Sequence, residues 1–227
     1  MFEHVRLRAE ISNIFNAGVY VATCDQEIYE KVKGYGGRPI MTSKNHLNGT
    51  SRVSEAIQNI ECDHVLVLQA DEPLILPRHL KFFIEQISKN PHFDVWNAVA
   101  EISFHSDLED HSIVKCAINS NSRILFCFRS SPFIAEFELQ SSYVKKMLGL
   151  IAFKKNVISE INNLEADLIE ANESIEQIRI INSDYEMSSI NLGEAFSSVN
   201  LPTDVELVNK EMLSNQEQIE ILNLYAK

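Results

Sequence analysis

Residues 65–75 read VLVLQADEPLI, an apolar run that ends in two carboxylates and a proline. The segment from residue 64 to 70 lacks polar alternation, which is typical of a strand covered on both faces of a sheet. Ligands of open α/β sheets bind outside the carboxyl ends of the strands. Asp71 stands at such an end, where a carboxylate can hold Mg²⁺ together with substrate phosphates. The alternative is a polar turn that Asp71 merely caps, and the tripeptide alone leaves both open.

The composition is that of a soluble globular chain. Its 227 residues are 45% apolar and 23% charged, and the formal net charge is -12. An acidic balance disfavours nucleic acid and anionic membranes as partners. No run approaches the ~20 apolar residues of a membrane span, and the start, MFEHVRLRAE, lacks the apolar core of a secretory signal. We therefore expect a cytoplasmic protein without membrane insertion.

The four cysteines do not indicate a metal site. Cys24, Cys62, Cys116 and Cys127 are far apart and form no C-x-x-C pair, so zinc is not expected. Most lie in or beside apolar stretches, where a free cysteine behaves as a small hydrophobe. We predict buried thiols.

Strands and helices alternate through the first hundred residues. Apolar runs at 17–23, 38–43, 64–70 and 94–102 predict strands, and helical stripes lie between them. This rhythm predicts a mostly parallel sheet with helices on both faces. The chain opens on a helical stripe made of Leu7, Ile11, Ile14 and Phe15.

The alternation of strands and helices ends after residue 103. Residues 113–128 read as an antiparallel hairpin around a polar turn, and strands at 144–153 and 187–192 and helices at 173–181 and from 202 follow. We expect one domain, 1–227, in which 113–153 is a β insertion that carries homodimer contacts. The acidic residues Glu165, Asp167, Glu170 and Glu173 are expected to be solvated.

A second polar segment joins a strand to a helix at residues 41–56, MTSKNHLNGTSRVSEA. Gly49 would let backbone N–H groups approach a ligand closely, and a helix N-terminus favours anions. The alternative is an ordinary helix capped by Thr50 or Ser51.

Together these stretches resemble one enzyme family. T-x-D at residues 23–25, T-S-x-x-H-x-x-G-T-x-R at 42–52 and Q-x-D-E-P-x-I at 69–75 match the order and spacing of the 3-deoxy-manno-octulosonate (KDO) cytidylyltransferases. Weaker similarity continues through HSIVKCAINSNSRILFCFRSSPF, MLGLIAF, ESIEQIR and VNLPTDVELV, so that it covers nearly the whole chain.

The resemblance implies a Rossmann-like nucleotide-diphospho-sugar transferase fold, α/β in class. It also implies that CTP and the acid sugar KDO, or a variant, give CMP-sugar and pyrophosphate for lipopolysaccharide synthesis, with Mg²⁺ as cofactor. By position, Asp71 would hold the metal, Gln69 would touch the sugar acid, and Arg129 would face the sugar carboxylate. The remaining implied contacts, on the nucleotide and sugar sides, are Thr23, Asp25, Thr42, Ser43, His46, Asn48, Gly49, Thr50, Arg52, Glu176, Gln177 and Arg179.

Several positions depart from the family pattern. The second metal ligand is Asn200 instead of an aspartate, and Met147 replaces a histidine of the sugar site. The chain begins just after the family's first strand and its cationic loop, so we expect that loop to be lacking and the isolated chain to be poorly stable. These departures keep two other readings open: a weakly active or inactive relative that acts in binding or dimerisation, and a CMP-sialic acid synthetase-like transferase.

Overall fold

The computed structural model describes residues 1–133, 135–166 and 168–225. They fall into two compact units, which are described separately below. The first contains Met1–Cys62, Val67–Glu85 and the chain from Phe196 onward, and the second contains Asp63–Leu66 and Gln86–Ala195.

The first unit combines short parallel strands with helices from both ends of the chain. Its elements are α1 (Phe2–Ser12), β1 (Val21–Thr23), α2 (Gln26–Gly34), β2 (Pro39–Met41), α3 (Gly49–Ala56), the end of β3 (His64–Leu68), the start of α4 (Pro77–Lys89), α10 (Asp204–Ser214) and α11 (Gln216–Tyr225).

Strands β1 and β2 pair in parallel, with Thr23 opposite Met41. Both are shorter than predicted. Residues 16–17 form a turn before β1, which the Gly18 N–H closes by donating to the Phe15 carbonyl. Gly18 has a φ of 105°, a value that glycine adopts without strain. The parallel register brings the carboxyl ends of β1 and β2 to the same edge.

Helix α1 buries a different face from the predicted stripe. Val5 and Ala9 are buried, and so are the charged Arg6 and Arg8. The helix ends at Ser12 because Asn13 adopts a left-handed conformation, with φ 52°. Ile14 and Phe15 therefore lie beyond the helix, so the prediction of one apolar stripe through them is wrong.

The apolar core of this unit gathers distant parts of the chain. Leu74, Val208 and Met212 are buried together, and Phe196, Val199 and Leu222 pack against them. The predicted last helix is two helices, α10 and α11. Asn215 separates them, and its Oδ1 accepts hydrogen bonds from the N–H groups of Glu217 and Gln218.

The second unit is built on a larger sheet. Its elements are the start of β3, the end of α4, β4 (Val95–Glu101), α5 (His105–Glu109), β5 (Lys115–Ile118), β6 (Ile124–Phe128), α6 (Phe137–Tyr143), β7 (Val144–Lys154), α7 (Lys155–Ile161), α8 (Leu168–Glu173), α9 (Gln177–Asn182) and β8 (Met187–Asn191).

The strand order is β6-β5-β7-β4-β8, and β3 also pairs with β7. β4 and β8 are parallel, whereas β7 runs antiparallel to both β4 and β5. The α/β class is confirmed, but the sheet of this unit is mixed rather than mostly parallel. A continuous apolar run is typical of parallel strands because both their faces are covered. The mostly buried β7 carries such a run although it pairs antiparallel with β4 and β5.

The predicted hairpin is confirmed. β5 and β6 pair antiparallel, and the turn between them contains Ser122 with φ 61°. Cys116 lies opposite Cys127, and burial raises the pKa of the Cys116 thiol to about 12 and that of Cys127 above its ordinary value. Buried thiols are therefore confirmed at these two positions, whereas Cys24 and Cys62 are half-buried.

The predicted helix at 173–181 is interrupted. α8 ends at Glu173, Ser174 has φ 54°, and α9 begins at Gln177. Glu170 was expected to be solvated but is buried, because Arg179 pairs with it through two hydrogen bonds. Asp167 of the same acidic segment lies outside the described residues.

Within the part of the chain that the structure describes, no helix combines the length and the hydropathy needed to cross a bilayer.

Candidate active site

Asp71 lies in a turn after the end of β3. Its Oδ1 atom is buried and has no hydrogen-bond partner among the described residues. Burial raises the pKa of this carboxyl above its ordinary 3.8. A buried carboxylate oxygen without a partner costs free energy unless a cation or a donor reaches it. Such an oxygen fits a ligand for a divalent cation.

The backbone of Asp71 joins the turn to the segment around residue 200. The Asp71 carbonyl accepts a hydrogen bond of 2.9 Å from the N–H of Val199. Asn200 follows directly, is exposed, and donates its own N–H to the Asp204 carboxylate over 2.9 Å. Asp71 and Asn200, the two predicted metal positions, thus belong to neighbouring segments within one unit. Mg²⁺ commonly takes only one or two protein oxygens, and this pair would supply that number.

No larger metal cluster accompanies them. Across residues 1–133, 135–166 and 168–225, no three His, Cys, Asp or Glu side chains converge in a manner suited to a metal ion. Gln69, the predicted sugar contact, precedes the Asp71 turn and is exposed. Its contact with a substrate stays a prediction.

Hydrogen bonds from Arg52, which lies in α3, hold the start of the loop at 42–52. Arg52 Nη1 donates to Thr42 Oγ1 over 2.8 Å and to the Ser43 carbonyl over 3.2 Å. Asn48 is the residue that caps α3, because its Oδ1 accepts the Ser51 N–H over 2.9 Å. The alternative caps Thr50 and Ser51 are therefore wrong.

Glu55, in α3, also holds this loop and was missed by sequence reasoning. Its carboxylate accepts the Ser43 N–H, at 3.1 and 3.2 Å to its two oxygens, and contacts His46 Nε2. The hydrogen bond with His46, followed by that from Ser43, lowers the pKa of Glu55. The available signal was the spacing of Arg52 and Glu55, since residues three apart share one face of a helix.

Gly49 begins α3 beside open space. A Cβ added at Gly49 would meet no atom within 4 Å. Packing within the protein therefore does not require glycine there, and the position remains accessible to a ligand. Thr50 itself is buried.

Thr23 and Asp25 hold the start of α2. The Thr23 hydroxyl accepts the Asp25 N–H over 3.1 Å, and Asp25 Oδ1 accepts the N–H groups of Glu27 and Ile28. The Thr23 carbonyl in turn accepts the Thr42 N–H over 2.9 Å. The first unit thus brings Thr23, Asp25 and the 42–52 loop together at the ends of its two parallel strands.

Apart from Gln69, the predicted sugar-side residues lie in the second unit, where two arginines are already engaged. Arg129 donates to the carbonyls of Glu173 and His111 over 2.7 Å each, and to that of Ser174 over 3.3 Å. Arg179 is bidentate to Glu170. Both guanidinium groups therefore support the α8–α9 junction beside Glu176, and their contact with a sugar stays a prediction.

Gln177 is oriented by a buried residue that the sequence did not single out. Asn97 in β4 donates from Nδ2 to the carbonyls of Ala98 and Leu148, and its Oδ1 accepts from Gln177 Nε2 over 3.3 Å. Carbonyls only accept hydrogen bonds, so the Asn97 amide has one orientation and Gln177 must present nitrogen to it. The Oε1 of Gln177 is left as an acceptor. Met147 is buried in β7, where it lies opposite Val99, a residue of the same strand as Asn97.

Comparison with known proteins decides the family. A family model described as cytidylyltransferase matches residues 1–199. The chain belongs to the cytidylyltransferase family.

Members with named activities cover most of this chain. The 3-deoxy-manno-octulosonate cytidylyltransferase of Escherichia coli is 29% identical over 213 residues, which is 93% of this chain and 85% of that protein. The 8-amino-3,8-dideoxy-manno-octulosonate cytidylyltransferase of Shewanella amazonensis is 31% identical over 186 residues, which is 80% of this chain and 75% of that protein.

Solved structures agree with this assignment. A structure of CMP:2-keto-3-deoxy-manno-octonic acid synthetase complexed with CTP is 28% identical, with a TM-score of 0.82, and the match covers 93% of this chain and 87% of that one. A glucose-1-phosphate thymidylyltransferase from Bacillus anthracis, described in its structure as putative, matches with a TM-score of 0.67 at 11% identity, which supports the fold alone.

Replacement of Asp71 by asparagine should raise stability when no divalent cation is present. The raised pKa means that the ionised carboxyl is disfavoured in the folded state. We expect Asp71→Asn to melt at a higher temperature than wild type at pH 7, and the difference to disappear as the pH falls below 3.8, where the carboxyl is protonated in both states. Thermal melts in chelator from pH 3 to 8 measure this. A lower melting temperature for Asp71→Asn at pH 7 would contradict it.

Replacement of Glu55 by glutamine should loosen the 42–52 loop. The lowered pKa keeps Glu55 ionised at neutral pH, and the bond to Ser43 is lost only as the pH falls through that lowered value, below 4.5. We expect faster hydrogen exchange of the Ser43 amide in Glu55→Gln at pH 7, and convergence with wild type at low pH. Glu61→Gln, an exposed change in the loop after α3, serves as the control. Unchanged exchange in Glu55→Gln would rule out this anchoring role.

Proposed function

We propose that this protein transfers a cytidylyl group from CTP to an eight-carbon acid sugar and releases pyrophosphate. The family match and the similarity to a CTP-bound synthetase at 28% identity support the class of reaction. Relatives named for KDO and for its 8-amino analogue support the class of acceptor.

The observation that carries this proposal is the Oδ1 of Asp71, which is buried and without a hydrogen-bond partner in residues 1–133, 135–166 and 168–225. Triphosphate substrates bring several negative charges, and a chain with a net charge of -12 needs local compensation for them. Asp71, with Asn200 beside it, would hold Mg²⁺ in this site. When bound, Mg²⁺ supplies charge neutralisation at the phosphates.

The nucleotide would lie against the first unit. Thr23, Asp25 and the 42–52 loop meet at the carboxyl ends of two parallel strands, the usual ligand position in this class of sheet. The open space beside Gly49 leaves room for close backbone approach. Arg52 and Glu55 hold the loop in a fixed shape, which reduces the ordering cost of binding.

The acid sugar would contact residues of the second unit. Gln177 offers an acceptor oxygen fixed by Asn97, and an acceptor pairs with a sugar hydroxyl or with an ammonium group. This chemistry suits both KDO and the 8-amino sugar. Arg129 and Arg179 act mainly by supporting the α8–α9 junction.

The reaction needs positioned substrates more than a covalent residue. The anomeric hydroxyl of the sugar attacks the α-phosphorus of CTP, the bond to the bridging oxygen breaks, and pyrophosphate leaves in line. Holding the two reactants in a near-attack geometry accounts for much of the rate enhancement in such transfers. Within this scheme, Thr23, Asp25 and the 42–52 loop would orient the nucleotide.

Homodimer formation is also proposed, through the β5–β6 hairpin. β6 is the last strand in the sheet order, and Leu125 and Phe126 on it are 52% and 42% exposed. Exposed apolar residues on an edge strand favour association.

The activity test is pyrophosphate release from CTP and Mg²⁺ with either KDO or its 8-amino analogue. We expect release with at least one sugar, and a fall of about 100-fold or more in kcat for Asp71→Asn, since removing a metal ligand forfeits several kcal/mol of transition-state stabilisation. Asp184→Asn is the matched control, because Asp184 is exposed and its φ of 63° is one that asparagine tolerates.

The outcome separates the competing functions. Release with either eight-carbon sugar supports the proposal, and release only with sialic acid would replace it by the sialic acid reaction. No release with any of these sugars, with CTP binding retained, would favour an inactive binding protein.

Replacement of Asn200 by aspartate should strengthen Mg²⁺ binding. Asn200→Asp places a second anionic oxygen on the segment that is bonded to Asp71. Carboxylates bind Mg²⁺ more strongly than neutral amide oxygens, so we expect the Mg²⁺ concentration for half-maximal activity to fall several-fold. Asn121→Asp, an exposed change in the hairpin turn, adds the same charge and should have no effect. Equal Mg²⁺ dependence in wild type and Asn200→Asp would remove Asn200 from the site.

A further inference from the structure

Arg8 is a fully buried cation in the first unit. Its exposed fraction is 0%, and its guanidinium has no carboxylate partner among the described residues. Neutral groups take its hydrogen bonds instead: the Pro73 carbonyl at 2.5 Å, the Tyr225 hydroxyl at 3.2 Å and the Gln218 side-chain oxygen. Burial lowers the pKa of Arg8.

A buried charge of this kind is weak evidence for stability. Its desolvation opposes folding, and well-packed apolar residues often stabilise a protein as well or better. The hydrogen bonds do, however, fix geometry, because the planar guanidinium donates in set directions. The contacts of Arg8 therefore indicate which backbone segment is being held.

That segment is the turn that carries Asp71. Arg8 holds the Pro73 carbonyl, and Gln218, bound to Arg8 through Oε1, donates from Nε2 to the Leu74 carbonyl over 2.7 Å. Val199 holds the carbonyl of Asp71 itself. Carbonyls at residues 71, 73 and 74 are thus each fixed by a different partner, whereas Asp71 Oδ1 is left without one.

The partners come from both ends of the described chain. Arg8 lies in α1, and Gln218 and Tyr225 lie in α11, beyond residue 199 where the family match ends. Gln218 is 0% exposed. No substrate contact is needed to explain these residues.

We propose that Arg8 and Gln218 are positioning residues for Asp71, which fix the turn so that its free carboxylate oxygen is presented to a divalent cation. The metal-binding half of this inference rests on the proposed function, and the fixing of the turn does not. Outer partners that orient a metal ligand typically contribute about 10- to 100-fold in metal affinity.

The test uses Gln218→Glu and Arg8→Lys in the full chain. Gln218→Glu keeps an oxygen towards Arg8 and gives the guanidinium a counter-charge, which favours folding, but it removes the donor to Leu74. Arg8→Lys keeps the charge but lacks the fork that bonds Pro73 and Gln218 together. Arg6→Lys is the control, because Arg6 is a buried arginine of the same helix that pairs with Glu3 and Glu10.

Two readouts other than activity are measured, with a thermal melt as a check of folding. Hydrogen exchange of the Val199 amide reports directly on its bond to Asp71, and electron paramagnetic resonance of free Mn²⁺ in the presence of CTP gives the metal affinity. We expect both Gln218→Glu and Arg8→Lys to accelerate exchange at Val199 and to weaken Mn²⁺ binding about 10-fold, with Arg6→Lys unchanged.

Wild-type exchange and wild-type Mn²⁺ affinity in both variants would overturn the inference. Failure of unmodified protein to bind Mn²⁺ with CTP would overturn the proposed function and the metal-binding half of the inference, whereas the exchange of Val199 would still decide whether Arg8 and Gln218 fix the turn.

Discussion

The site depends on a constraint at Asp71, where a carboxylate oxygen is buried and meets no hydrogen-bond partner in the described part of the chain. Asp71 is kept in this state although burial opposes its ionisation. Such groups persist where the surrounding structure holds them in place, and they concentrate at functional sites. The backbone of the Asp71 turn is accordingly bonded by Val199, Arg8 and Gln218, so that the turn cannot relax to satisfy the side chain.

Other candidate residues are also held in place by hydrogen bonds from neighbouring residues. Arg52 and Glu55 hold the 42–52 loop, and Asn97 fixes the amide of Gln177. In each case, a residue away from the expected ligand uses its hydrogen bonds on the backbone or on a neighbouring side chain. Asp71 Oδ1 and Gln177 Oε1 are the atoms that this arrangement leaves for a ligand. This arrangement is preorganisation, in which the protein meets the ordering cost on folding instead of on binding.

Part of this site could be read from the sequence, because it lies in continuous motifs. The Q-x-D-E-P-x-I segment is recognised by its own residues, and the T-S-x-x-H-x-x-G-T-x-R loop carries its own cap residue, Asn48, with a local bond from Arg52 to Thr42. The residues that hold the Asp71 turn were missed for a physical reason. Arg8 and Gln218 are 210 positions apart in the chain, so no local pattern relates either of them to Asp71.

The sequence by itself determined the alternation of strands and helices, the hairpin at β5–β6 and the resemblance to the cytidylyltransferases. Each of these depends on residues close together in the chain or on a fixed spacing of motifs. Only the tertiary structure decided the direction of β7, the break in the helix before Gln177, and the pairing of Glu170 with Arg179. The direction of β7 arises from pairing between distant segments, and Glu170 meets Arg179 across the break between α8 and α9. Hydrophobic periodicity records whether a residue is buried but not which partner it meets.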